Sequence, residues 1–320
     1  MKNRTNRIVW SSALALAIAL SSQLETMAAT NGMVLITTRR QGDMSISRTD
    51  VDNIKGPGQV SPGDLAMHSL LGDYGYSCRY VTVTELDAGA ANPCDSHLGN
   101  PAAFLTPAAD TNFNVNLLIL TAAASVADNP NLASFNVPTM TGEFGLIGNG
   151  AAGSLFLYAG EATGNPESAT AGKYMKVINP THPIMQGIPL DAQDRVKMVR
   201  DPYPEENAHV PLAGKANHEF FWVNTASTPA AGTTVLAVMD NDTNRFCFAV
   251  ADVGGVLADS SVNGRRLVHL PFGEQSSNFS RRTFNALTDL GKVIFIRSAK
   301  WAMGETLTPY QSFGIVDVGP

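Results

Sequence analysis

The residues able to do chemistry in this 320-residue chain are few and widely spaced. Six histidines occur, and no two share the His-Glu-x-x-His spacing that brings paired imidazoles to one helix face. His218-Glu219, beside Phe220-Phe221-Trp222, joins an imidazole to a carboxylate, the pair that acid/base or metal chemistry uses. Neighbouring residues of a strand point to opposite faces, so the two do not serve one site. His218 is kept as a ligand contact, with a structural role as the plainer reading. His269 and Glu274 flank Pro271-Phe272-Gly273 after an extended segment, and Glu143 follows another. Ligands of open α/β sheets gather beyond the carboxyl ends of the strands. Glu143, His269 and Glu274 are therefore the candidate catalytic residues. Arg39 and Arg40, after the first apolar run, are candidate contacts to an anionic or sugar ligand, against a default of solvated surface charge.

Nucleophiles are scarcer still. The three cysteines are Cys78, Cys94 and Cys247. Cys78 and Cys94 bracket a polar loop, and an oxidising compartment permits a bridge between them, contributing about 3 kcal/mol. Cys247 lies in an apolar run and reads as a core thiol. Ser125 and Ser154 both lack the Gly-x-Ser-x-Gly elbow that strains a serine nucleophile. Asp240-Asn241-Asp242 lacks the calcium-loop spacing and reads as a hairpin turn. No Gly-x-Gly-x-x-Gly opens a helix after the first strand, so no nucleotide cofactor is expected. No metal site is assigned.

Positioning such residues requires a sheet. Residues 33–38 form a continuous apolar run, as in a strand buried on both faces. Met67, Leu70, Leu71 and Tyr74 have helical spacing after Ser61-Pro62-Gly63-Asp64, and Gly75 stops the helix. A second strand follows at 80–84, giving β-α-β and a parallel pair. Strands are expected at 115–120 and 137–140. The second half supplies 155–158, 174–178, 196–199, 220–223, 235–239, 246–251 and 266–270, most of them antiparallel additions at one edge. A buried helix closes the chain, capped by Thr288 and ended by Gly304.

The amino terminus carries an address. Lys2, Arg4 and Arg7 precede an uncharged, mostly apolar run over residues 8–20, and small residues follow at 28 and 29. That is the plan of a cleaved signal peptide over 1–28, leaving one domain over 29–320 in the periplasm or outside the cell. Without residues 1–28 the net charge moves from −6 to about −8, since three basic and one acidic side chain are lost. Such a charge does not suit nucleic acid or anionic lipid. No later apolar run is long enough to span a membrane.

Three stretches then appear in the order seen in class I glutamine amidotransferase-like domains of the trehalose-utilisation (ThuA-like) type. They are His182-Pro183-Ile184 with Gly187-Ile188-Pro189, then Val235-Leu236-Ala237 with residues 246–256, then Arg265-Arg266-Leu267 through Phe272-Gly273 to Leu287-Thr288-Asp289-Leu290-Gly291 and Ala299-Lys300-Trp301-Ala302-Met303-Gly304. The chain resembles that family over most of residues 29–320. The resemblance implies a flavodoxin-like, three-layer α/β sandwich with a mostly parallel central sheet. It also implies a nucleophilic Cys in a Gly-x-Cys-x-Gly elbow, yet residues 95–246 contain no Cys. The expected function is a non-catalytic binding domain for a small molecule, a glycan or an envelope protein, with no cofactor. The alternative is a hydrolase or sugar-modifying enzyme with a carboxylate/His site, which under that reading alone could hold zinc.

Overall fold

Val34, Leu35 and Ile36 of β1 (Met33–Thr38) and residues 117–120 of β3 (Val115–Leu120) are all buried. A strand loses both faces to the interior only in the middle of a sheet covered twice. The computed structural model describes residues 33–38, 62–82, 115–121, 137–142, 146–148, 155–160, 165–167, 174–200, 220–223, 227–240, 242–272, 284 and 287–311. The segment 1–28 and Arg39, Arg40, Cys94, Glu143, His218 and Glu274 lie outside the described residues.

The chain forms an α/β structure around one nine-stranded mixed sheet. β2 (Ser77–Thr82), β1, β3, β4 (Thr139–Thr141) and β13 (Leu267–His269) are adjacent and mutually parallel. Beyond β13 the sheet continues antiparallel through β12 (Asp242–Ala251), β11 (Thr233–Met239), β7 (Tyr174–Val177) and β8 (Arg195–Lys197). Half of the eight pairings are therefore antiparallel. Two short pairs stand apart: β5 (Tyr158–Ala159) with β10 (Thr228–Pro229), and β6 (Asn165–Glu167) with β9 (Phe220–Trp222). The segments 155–158 and 220–223, expected as additions to the main sheet, go to these outlying pairs.

Alternation sends Val34, Ile36, Leu117, Ile119, Met140 and Val268 to one face, where α1 (Pro62–Asp73) and α2 (Asp289–Ala302) cover them. Met67 and Leu71 of α1 enter that core, whereas Tyr74, the expected last anchor, is exposed and packs beneath the Lys300 ammonium. Tyr76 takes its place, its hydroxyl donating to Glu305 Oε1 at 2.5 Å. Leu35, Leu118, Leu120 and Leu267 face the other way, onto Leu146, Ile147, Leu155, Leu157 and Tyr158. Among the described residues, the cover of this second face is irregular chain rather than helix.

α2 begins as its sequence requires. The Thr288 hydroxyl accepts from Gly291 N at 3.0 Å and donates to Lys197 O at 2.7 Å, so one side chain caps the helix and ties it to β8. Gly291 lets the helix approach closely, since a Cβ there would meet Met198 O at 2.9 Å. Arg297 is buried without a carboxylate. Its guanidinium donates to the carbonyls of Ile184 at 2.7 Å, Thr308 at 2.8 Å, Gln186 at 3.3 Å and Pro183. It therefore pins the turn at 182–188 and the chain after α2 to the helix. Replacing Arg297 with Met leaves these buried carbonyls short of a donor. We expect a loss of about 3 kcal/mol, read as a lower urea midpoint at an unchanged slope.

Candidate functional site

The parallel strands end together on one rim. β1 lies between β2 and β3, the strand order of a topological switch point at β1 and β3. Two threonines tie the carboxyl ends of these two strands together. Thr121 N donates to Thr37 Oγ1 at 2.8 Å, and Thr121 Oγ1 donates back to Thr37 O at 3.0 Å. Both residues are buried, so these bonds replace water that cannot enter.

His269 is the last residue of β13, in register with Thr141 of β4 and Ala249 of β12. Of the three candidate catalytic residues it is the one within the described chain. Its parity matches Thr141 rather than Met140, so both face away from the helices. It stands two strands from β3, or roughly 10 Å at the usual strand spacing. The imidazole is 1% exposed. Its Nδ1 lies 3.2 Å from the Tyr158 hydroxyl, and the rings meet edge to face at 5.8 Å. Its Nε2 is buried with no hydrogen-bond partner.

Tyr158 comes from the irregular cover, where an apolar run is its only mark in the sequence. Leu155 N donates to Leu146 O at 2.7 Å, and Tyr158 N to Ile147 O at 3.2 Å. Leu157 O accepts from Ala230 N and Thr233 Oγ1, both at 2.9 Å. Phe156 sits at φ 55°, a left-handed conformation rarely taken by a bulky side chain. The turn is thus held by its neighbours against its own preference, and it sets the phenol over His269.

These contacts fix the protonation of the pair. Burial, with Cys247 nearby, pushes the Tyr158 phenol well above its ordinary range, so it keeps its proton. With the phenol donating to Nδ1, the N–H of the ring is at Nε2. Burial lowers His269 to about 3, so the ring is neutral at physiological pH.

The thiols are placed elsewhere. Cys247 lies within β12, fully buried, and burial raises it far above its ordinary value. Cys78 is a free thiol on β2 that packs toward α1, and burial raises it to about 12. The bridge expected to Cys94 concerns a residue outside the described chain. Phe272, between His269 and Glu274 in sequence, turns into the helical core against Phe284 at 5.9 Å. Asp240 and Asp242 pair with Arg195 and Arg245, each at 3.1 Å, rather than with one another. His182 shapes its turn, accepting from Ile184 N at 3.3 Å while its ring packs on Trp301. Among the described residues no three His, Cys, Asp or Glu converge as a metal site, and no helix is long and apolar enough to cross a membrane.

The neutral imidazole has a consequence for stability. The unfolded chain takes up a proton at His269 near pH 6.5, whereas the folded chain refuses it until about 3. Stability from this group is therefore complete above pH 6.5 and declines as pH falls toward 3. His182, lowered to about 4 by burial, acts in the same direction. His269→Gln is expected to remove up to about 1.4 kcal/mol per pH unit from that acid slope, measured by urea unfolding between pH 7 and 4. No family model matches the chain, and no curated protein or solved structure matches it either.

Proposed function

We propose that the chain is an exported, non-catalytic binding domain of the amidotransferase-like type, built on a flavodoxin-like core. It takes a small molecule, a glycan or an envelope protein at the carboxyl rim of its parallel strands. The strand order β2-β1-β3-β4-β13 supports this reading, because it is the order of a flavodoxin-like sheet with β13 as the fifth strand. The observation that carries it is the setting of His269. In a nucleophilic site an imidazole faces a thiol or hydroxyl on a strained elbow and has an acid behind it. Here it faces a buried phenol that accepts no proton, and Cys247 is a protonated thiol inside a strand. Such a ring is not poised to activate a nucleophile.

The hydrolase reading asks more of His269 than its surroundings supply. A general base works best with a pKa near the working pH, and this ring is held about four units below it. The amino-terminal segment 1–28 fits the reading of export, with cleavage on either side of Ala29.

The test uses the full exported chain, whose mature amino terminus is expected at Ala29 or Thr30 by mass spectrometry. The protein is screened by thermal shift against a glycan and metabolite library, before and after iodoacetamide and with Cys247→Ala. The expected result is a ligand that raises the melting temperature equally in all three and is recovered unchanged. Turnover of the ligand that is lost on alkylation or in Cys247→Ala would sink the proposal.

A further inference from the structure

One turn of the chain is laced both to α2 and to the segment that follows α2. Arg297 donates to the carbonyls of Pro183, Ile184 and Gln186 on one side and of Thr308 on the other. Tyr310 N donates to Gln186 O at 2.9 Å. Gly187, at φ 82°, allows that approach, since a Cβ there would meet Tyr310 O at 2.4 Å. The turn at 182–188 and the segment 304–311 thus hold each other in place. Inside the turn, Ile184 N donates to His182 Nδ1 at 3.3 Å, while Met185 N and Gln186 N donate to His182 O at 2.8 and 2.9 Å. The half-buried imidazole lies against Trp301 of α2, ring centres 5.3 Å apart.

Charged groups surround that ring. Arg266, just before β13, places its guanidinium 4.7 Å from the centre of the same indole and donates to Trp301 O at 2.7 Å. It repels a cation at His182, and Arg297 adds positive charge behind the turn. Asp252, just after β12, attracts such a cation, but its carboxylate already accepts from Arg266 Nε at 2.9 Å. On the laced segment, Glu305 accepts from the Tyr76 hydroxyl and lies 4.0 Å from Lys300 Nζ. His182 accepts from Ile184 only while Nδ1 carries no hydrogen. A proton there sets one N–H against another.

We propose that His182 is an acid-operated latch, in which proton uptake at Nδ1 opens the turn at 182–188 and frees the segment 304–311 laced to it. Burial holds the ring at about 4 in the closed turn, against an ordinary 6.5. Between those values only the open form takes the proton, so each unit of acidification favours opening tenfold, or roughly 300-fold in all. The central sheet is not drawn in, because His269 stays neutral down to about 3.

The experiment is an NMR titration of the isotopically labelled full chain from neutral pH to about 3.5, a range that spans both states of the imidazole. The Ile184 and Tyr310 amides and the His182 Cε1–H are expected to change with one shared midpoint between 6.5 and about 4. The amides of Leu35 and Leu118 are expected to hold still. His182→Asn keeps an oxygen able to accept from Ile184 N and has nothing to titrate, so it is expected to hold Tyr310 in place throughout. Separate midpoints for the imidazole and Tyr310, or a Tyr310 amide unmoved at the acid limit, would overturn the inference. Leu35 moving in step with Tyr310 would overturn it too, since the whole fold would then be giving way. A Tyr310 change that survives in His182→Asn would do the same and assign the response to Glu305.

Discussion

Strands that are apolar on both faces must be covered on both faces, and this constraint organises the rest of the chain. Val34, Leu35 and Ile36 of β1 and residues 117–120 of β3 are buried on both sides of the central sheet. At roughly 25 cal/mol per Å² of apolar surface, leaving one face open would cost more than a domain of this size can spare. α1 and α2 answer for one face with Met67, Leu71, Ile294 and Phe295. The other face is met by irregular chain at 146–148 and 155–158, whose backbone must find partners as it crosses the core. It finds them in Leu146, Ile147, Ala230 and Thr233. Tyr158 arrives over His269 as part of that cover.

The rim and the cover are therefore one piece of physics. Beneath this cover His269 is dry, and a dry imidazole is neutral. The cover also brings the phenol against Nδ1 of the neutral ring. Phe156 takes its left-handed conformation where the cover turns toward the sheet, so local strain goes with the placement of a single hydroxyl. The Thr37–Thr121 exchange links the carboxyl ends of β1 and β3 through hydroxyls, beyond the last paired residues of their ladder.

Much of this frame was legible in the residues. The continuous runs at 33–38 and 115–120 announced central strands, and Thr288 and Gly304 marked the ends of α2. The period-2 and continuous patterns of 235–239 and 246–251 located the antiparallel half, though not how much of the sheet it would occupy. What periodicity could not resolve was destination. Residues 155–158 and 220–223 read as strands because they are apolar and extended, and only tertiary packing assigns them to outlying pairs. The candidate site was half legible. His269 was reachable from its position at a strand's end, but Tyr158 was hidden in an apolar run 111 residues earlier. Arg297 was invisible for a related reason. A lone Arg in an apolar helix signals surface until one sees that its partners are carbonyls, which leave no mark in side-chain sequence.

Two demands on the same imidazole decide between a binding rim and a reaction centre. Catalysis needs a ring that changes protonation during the cycle, which requires water or a carboxylate near enough to stabilise the cation. Recognition needs a ring that does not change, so that its donor is present at every encounter. A phenol is the partner that serves the second demand, since it fixes the tautomer while offering no negative charge to an imidazolium. Burial adds to this by making the charged form costly. Among the described residues, the phenol and burial both keep this ring neutral.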